Sequence, residues 1–108
     1  MTLEQSEYPC PIERTIQTIG GKWTFLILRN MFQGENRFNQ LQRNLDGISP
    51  RTLSLRLKEL EQANIIIRNV FPETPPRVEY HLTEKGEELR PIFVTMKTWG
   101  NKWEIMKP

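Results

Sequence analysis

The sequence predicts a mainly helical domain that carries one small β-hairpin. Apolar residues recur at helical spacing in several segments, Ser49-Pro50 is a clear helix start, and residues 77–82 alternate after a proline-rich loop. The chain has 108 residues, of which 37% are hydrophobic and 26% charged, a composition typical of one globular domain. We therefore expect a flexible tail over residues 1–9 and a single domain over residues 10–108.

Composition excludes several classes of protein. One Cys cannot form an internal disulfide or a thiolate metal site, and one His leaves little for a catalytic triad. No segment approaches the about 20 apolar residues of a membrane span, and the polar, acidic N-terminus does not resemble a signal peptide. We expect a cytoplasmic protein that is no enzyme and needs no metal or cofactor.

Three helices are predicted before the Ser-Pro pair. Cys10-Pro11 begins the first helix, which ends at Gly20-Gly21. Residues 22–32 are apolar on nearly all sides, which indicates a central, buried second helix. Residues 39–45 form a third, short helix, and residues 46–48 form a tight turn.

A capped helix, a hairpin and a last helix follow. Ser49 caps a helix over residues 49–63, and Asn64 suits the left-handed position after it. Residues 65–71 and 77–82 are strand-like and flank the proline-rich loop. Thr83 caps a last helix that runs to about residue 106. A short helix, a tight turn and a second capped helix make a helix-turn-helix, and the hairpin after it is the wing of a winged helix.

Charge distribution supports contact between this motif and DNA. The formal net charge of the chain is only +2, but residues 22–58 hold seven basic and two acidic side chains, a net of +5. A local basic patch is typical of phosphate contact. The major-groove candidates share the outward face of the fourth helix; they are Ser49, Arg51, Thr52, Ser54, Leu55 and Lys58.

Further DNA-contact candidates flank that helix. Arg37, Gln40 and Arg43 are expected to hold phosphates, and Arg77 to lie at the minor groove beside a wing over about residues 71–78. Exposed Leu55 could cover a thymine methyl group. The alternatives are a solvated helix face, ordinary surface charge and, for Arg77, an ion pair with a neighbouring glutamate. Glu73 at the wing tip does not favour DNA binding.

Cys10 is a candidate sensor thiol. Free N–H groups at a helix N-terminus stabilise a thiolate, and a thiolate is the form that oxidants and electrophiles attack. The alternative is a buried, inert cysteine. A Cys10–His81 catalytic pair is conceivable, but the sequence offers no orienting group and no oxyanion site.

Two apolar stripes predict a homodimer. The last helix carries apolar residues at steps of four and three, and the first helix carries a second stripe. We expect these stripes to form the interface, which then consists of Ile12, Ile16, Ile19, Ile92, Met96, Trp99 and Trp103. The alternative is packing inside one chain. A two-fold dimer would place its two recognition helices about 34 Å apart, one turn of DNA.

The chain resembles the HxlR family of bacterial winged-helix transcriptional regulators, whose architecture is MarR-like. The matching segments are Cys10-Pro11, Gly20-Gly21-Lys22-Trp23, Arg37-Phe38, Ile48-Ser49-Pro50-Arg51, Pro76-Arg77-Val78-Glu79-Tyr80, Leu82-Thr83-Glu84-Lys85-Gly86 and Trp99. The resemblance implies a bacterial or archaeal homodimer that binds pseudo-palindromic operators through the helix at Ser49. It also implies that Cys10 can sense reactive electrophiles or oxidants, as in a subset of the family.

The sequence thus predicts a dimeric, sequence-specific DNA-binding transcriptional regulator. Two alternatives stay open: a winged helix that binds protein rather than DNA, and a regulator controlled by a small ligand at the dimer interface. A thiol-dependent enzyme would need a base near Cys10, which the sequence does not supply.

Overall fold

The computed structural model describes residues 8–106, so most of the predicted N-terminal tail lies outside the described residues. Six helices and one hairpin follow each other as α1 (Pro11–Ile19), α2 (Lys22–Phe32), α3 (Phe38–Asn44), α4 (Pro50–Gln62), β1 (Ile66–Phe71), β2 (Arg77–Leu82), α5 (Glu84–Glu87) and α6 (Arg90–Trp103). The mainly helical fold with one hairpin is confirmed, and so is the order of the elements through the end of the hairpin.

The core is built around α2, as its nearly uninterrupted apolar sequence predicts. Ile27 and Leu28 are fully buried, and the apolar stripe of α4 packs with them. Each such side chain contributes about 1.5–3 kcal/mol through removal from water. The buried apolar residues are Ile19, Ile27, Leu28, Met31, Leu41, Leu45, Ile48, Leu53, Leu57, Leu60, Ile65 and Ile66.

Local signals fix both ends of α4. Gly47 has φ 88°, a left-handed value that glycine adopts without strain, and it turns the chain between α3 and α4. Ser49 Oγ accepts a hydrogen bond from the Thr52 N–H at 3.1 Å. Asn64, at φ 64°, holds the left-handed position that ends the helix and starts the wing.

The wing is a two-stranded antiparallel sheet attached to the body at its base. Ile66 pairs with Leu82, and Phe71 pairs with Arg77 beside the loop. The Tyr80 N–H donates to the Asn36 carbonyl at 2.8 Å, which ties β2 to the segment before α3. Buried Ile66 anchors the base of the hairpin, so the wing has a fixed direction relative to α3 and α4.

The prediction of one continuous last helix is wrong. Thr83 does cap a helix, because its Oγ1 accepts from the Gly86 N–H at 3.0 Å, but α5 ends at Glu87. Pro91 has no N–H to donate back into α5, so the chain breaks there and α6 begins with this proline in its first turn. The helix ends at Trp103 rather than near residue 106.

Candidate nucleic-acid interface

The outward face of α4 presents one apolar side chain among polar and cationic ones. Arg51, Ser54, Leu55 and Lys58 are exposed, whereas the leucine stripe on the opposite face is buried. Spacings of three and four residues place these exposed side chains on one side of the helix. Leu55 is 48% exposed, a high value for a leucine at the centre of a helix that has a well-formed core on its other side.

Two predicted contact residues shape the start of α4. The Ser49 hydroxyl accepts from the Thr52 N–H and donates to Thr52 Oγ1 at 3.0 Å. Both hydroxyls therefore take part in the cap. Pro50 has no N–H and the Thr52 N–H is bonded to Ser49, so the first turn presents the backbone N–H of Arg51 and a positive dipole end, which suit a phosphate group.

Gln40 has a structural task that the sequence prediction did not include. Its Oε1 accepts from the backbone N–H groups of Asn36 and Arg37, both at 3.1 Å. These bonds satisfy donors at the start of α3, which begins at Phe38, one residue earlier than predicted. Gln40 thus fixes the start of α3. Its Oε1 is already engaged, so it offers a ligand fewer hydrogen-bonding groups than an unbonded glutamine would.

Cations on α3 and α4 differ in whether they are paired. Within residues 8–106, no ion pair involves Arg37, Arg43, Arg51 or Lys58, whereas Arg56 pairs with Glu59 at 2.8 Å. The unpaired side chains are all exposed. They constitute the cationic surface of the motif, and we refer to Arg37, Arg43, Arg51 and Lys58 together as the basic set.

A polar network joins α2 to α3. Buried Asn30 accepts from Arg29 Nε at 2.8 Å and donates to Glu35 Oε1 at 3.2 Å. Glu35 also accepts from Asn44 Nδ2 at 2.7 Å. The network engages Glu35, one of the two acidic side chains among residues 22–58, and fixes α3 relative to the core. Isolated Asn and Glu residues give no sequence signal for such an arrangement.

Arg77 forms ion pairs with neighbouring glutamates, which was the alternative to a role at the minor groove. Its guanidinium lies 3.3 Å from Glu73 and 3.4 Å from Glu79, and it stacks 4.2 Å from the Phe71 ring centre. The contact with Glu79 has no hydrogen-bond geometry at Nε, so it is a charge contact. Glu73 therefore has a role, because it holds Arg77 at the loop. Contact between Arg77 and DNA stays a prediction.

His81 and Glu79 form a second pair on the wing. His81 Nε2 lies 2.9 Å from Glu79 Oε1. This hydrogen bond from His81, together with the charge of Arg77, lowers the pKa of Glu79 below its ordinary value. Arg77, Glu79 and His81 thus form a cluster at alternate positions of β2, on one face of the wing.

Cys10 is the N-cap residue of α1, as predicted from Pro11, and it is half-buried. The backbone N–H groups of Glu13 and Ile12 lower the pKa of its thiol below the ordinary value, and the charge of Arg14 acts in the same direction. The sulfur closes no capping hydrogen bond of full geometry. Nothing in residues 8–106 gathers three metal-ligand side chains around it or elsewhere.

The predicted dimer residues are exposed with one exception. On α1, Ile12 and Ile16 are 70% and 58% exposed, and on α6 Trp99 and Trp103 are 59% and 61% exposed. Ile92 and Met96 are exposed as well. Ile19 is the correction, since it is only 2% exposed and belongs to the core of the domain. The last turn of α1 faces inward where the chain enters α2, so the stripe ends at Ile16.

No helix among residues 8–106 is both long and apolar enough to cross a membrane.

Comparisons with known proteins agree with this architecture. A family model described as HxlR-like helix-turn-helix matches residues 18–107. The helix-turn-helix transcriptional regulator sll1512 of Synechocystis sp. PCC 6803 is 46% identical over 94 residues, which cover 87% of this chain and 70% of that protein.

Two solved structures extend the comparison. The reduced form of the redox regulator HypR has a TM-score of 0.84 and 43% identity, and the match covers 89% of this chain and 95% of that one. The reduced form of the Bacillus subtilis transcriptional regulator YodB has a TM-score of 0.76 and 39% identity over the same shares of both chains. The chain is a helix-turn-helix transcriptional regulator and belongs to the HxlR family.

Proposed function

We propose that the protein is a homodimer that binds a pseudo-palindromic DNA operator in a sequence-specific way. The observation that carries the proposal is the outward face of α4, where exposed Leu55 lies between unpaired Arg51 and Lys58. A helix of this kind fits the major groove, which is wide enough to admit one helix. The wing then lies beside the minor groove.

In this proposal, different side chains on α4 contact different bases. Arg51 can donate two hydrogen bonds to guanine, Ser54 can bond to several base edges, and Leu55 can contact a thymine methyl group. Lys58, near the middle of the helix, reaches either a base or a phosphate. Each well-placed bidentate contact is worth about 1–3 kcal/mol of discrimination between bases.

Phosphate contacts come from the flanking elements. Arg37 and Arg43 on or beside α3 are exposed cations without an ion pair among residues 8–106. Gln40, Ser49 and Thr52 act by fixing the helix starts, and the Arg51 backbone N–H at the start of α4 can also bind a phosphate. Arg77 approaches the minor groove only if its attraction to the negatively charged duplex is strong enough to break its ion pair with Glu73.

The exposed apolar residues of α1 and α6 form the dimer interface in this proposal. Four of the predicted interface residues, Ile12, Ile16, Trp99 and Trp103, are more than half exposed in one chain, and such a patch is unusual on a monomer. Aromatic residues and methionine are enriched at the cores of protein interfaces. Two-fold symmetry would then repeat the DNA-binding surface at a spacing of about 34 Å.

Cys10 is the proposed site of signal reception. HypR is named a redox regulator, YodB has been solved in reduced and diamide-treated forms, and the pKa of the Cys10 thiol is lowered at the start of α1. One thiol per subunit restricts the chemistry. Either two Cys10 thiols lose two electrons and two protons to an oxidant and form an intersubunit disulfide, or one thiolate forms a bond to an electrophilic carbon. A cytoplasmic location, where thiols are kept reduced, is part of this proposal.

Selection of a binding site from random duplexes, followed by titration at several salt concentrations, tests the DNA proposal. We expect a pseudo-palindromic site and an affinity that falls steeply with added salt, because phosphate contacts release counterions. Arg51→Ala is expected to lower specific affinity by about 1–3 kcal/mol, whereas Lys102→Ala on α6 serves as the charge-matched control. A protein-interaction module would give no salt-dependent binding to any duplex.

A further inference from the structure

A cleft between α2 and α6 is not used by the proposed DNA contacts. Its volume is about 550 Å³, within the range of small-molecule sites. Three phenylalanines form its floor: the ring of Phe93 packs against Phe25 at 5.4 Å and against Phe32 at 5.1 Å, measured between ring centres. The floor is therefore a preformed aromatic surface attached to the core.

Among residues 8–106, the charged groups at the rim of the cleft are all cationic. Arg29, Arg90 and Lys97 line it, and no carboxylate of this part of the chain does. Arg90 is neutralised by Glu87 at 3.0 Å and also donates to the Phe32 carbonyl. Among residues 8–106, Arg29 and Lys97 have no carboxylate partner, so they leave positive charge above an apolar floor.

We propose that this cleft binds a small amphipathic anion, an aromatic carboxylate, whose ring lies on the phenylalanines and whose carboxylate faces Arg29 and Lys97. A neutral ligand of the same shape would gain the apolar contact but not the charge complementarity. Binding of this kind involves no covalent step and does not involve Cys10. The proposal goes beyond DNA binding and does not depend on it.

The position of the cleft connects it to the proposed dimer interface. On α6, Phe93 and Lys97 face the cleft, whereas Trp99 and Trp103 lie on the neighbouring face. Met96 lines the cleft and also belongs to the exposed apolar seam. A ligand that displaces the Met96 side chain therefore alters the surface that a second copy would contact.

Titration of the full-length protein with 2-naphthoate and with neutral 2-naphthamide tests the proposal without DNA. We expect 2-naphthoate to bind at least about fivefold more tightly, and the methyl NMR signal of Met96 to shift while that of Met106 does not. Lys97→Gln is expected to weaken naphthoate about two- to fivefold and to leave naphthamide unchanged. Lys102→Gln, on the opposite face of α6, is the matched control and should bind both compounds like the parent.

Val94→Trp fills the cleft and should abolish binding of both compounds, and circular dichroism establishes whether this variant is folded. Equal affinity for naphthoate and naphthamide would overturn the proposal, as would an unchanged naphthoate affinity in Lys97→Gln. Absence of binding to the parent protein would also overturn it.

Discussion

The hydroxyl groups of Ser49 and Thr52 lie 3.0 Å apart at the first turn of α4, and Ser49 also accepts from the Thr52 backbone. This pair orients the helix that carries the proposed base contacts. Removal of the cap should therefore reduce both the stability of the domain and the precision of DNA recognition.

Ser49→Ala is expected to cost about 1 kcal/mol of unfolding free energy, because the Thr52 N–H loses its acceptor. Urea unfolding measures the change. Ser54→Ala on the same helix is the control, since Ser54 makes no cap and should change stability by less than about 0.5 kcal/mol. Equal stability of the two variants would contradict the assigned roles. Affinity for DNA should fall in both.

A pair of leucine variants should show that the buried face of α4 contributes to stability and the exposed face to DNA affinity. Leu57→Ala removes a side chain that is 1% exposed and should cost about 2–5 kcal/mol of stability through lost burial and a cavity. Leu55→Ala is expected to change stability by less than about 0.5 kcal/mol, yet to weaken binding to an operator with thymine at the contacted position. Replacement of that thymine by deoxyuridine should give the same loss and make Leu55→Ala silent.

Stability of the wing should depend on Glu79 at acidic pH. The folded pKa of Glu79 is lowered, by the His81 hydrogen bond first and Arg77 second, so its contribution is present above the unfolded value near 4.5. That contribution is lost as the pH falls through the lower folded value. Glu79→Gln should reduce the loss of stability on acidification in this window. Glu61→Gln, on α4, is the control, and its stability should depend on pH as that of the parent protein does.

Cys10 should react faster with iodoacetamide at neutral pH than the cysteine of an unstructured peptide. Backbone N–H groups of Glu13 and Ile12 favour its thiolate, so the midpoint of the alkylation rate against pH should lie below the ordinary value of 9.0. Unfolding in urea removes α1 and should raise the midpoint. A midpoint that is the same in the folded and unfolded protein would exclude activation by the helix start.

Trp103→Glu should convert the proposed dimer into a monomer, because a buried, unpaired carboxylate in the interface is costly. Sedimentation velocity measures the change, and DNA affinity should fall with it. Thr98→Glu lies on the same helix, outside the proposed seam, and should remain dimeric. A dimeric Trp103→Glu protein would place the interface elsewhere.

Local signals in the sequence predicted most of the fold. Ser49-Pro50, Gly47 and Asn64 each carry a strong conformational preference that acts over a few residues, and the structure follows all three. Pro91 carries an equally local signal, but the apolar spacing across it resembled one long helix. Ile19 was misplaced because helical spacing defines a stripe without stating where the core ends along it.

Side-chain pairing was less predictable. The Asn30–Glu35 network depends on distances across a turn that no spacing rule supplies. Gln40, three residues after the N-cap residue Arg37, has the spacing of a capping box, a signal that the sequence prediction did not use. The pairing of Arg77 with Glu73 was foreseen only as an alternative, since proximity in sequence does not say which charges a bent loop brings together.

The interruption at Pro91 has a mechanical consequence. With the helix broken there, α6 is attached to the helix-turn-helix body by the bonds of Arg90 to Glu87 and the Phe32 carbonyl, and by the rings around Phe93. In a symmetric pair joined through α6, a small pivot at this joint would be magnified across the width of each body. The operator spacing that the pair can span would then be set by how firmly one arginine and one aromatic ring hold this pivot.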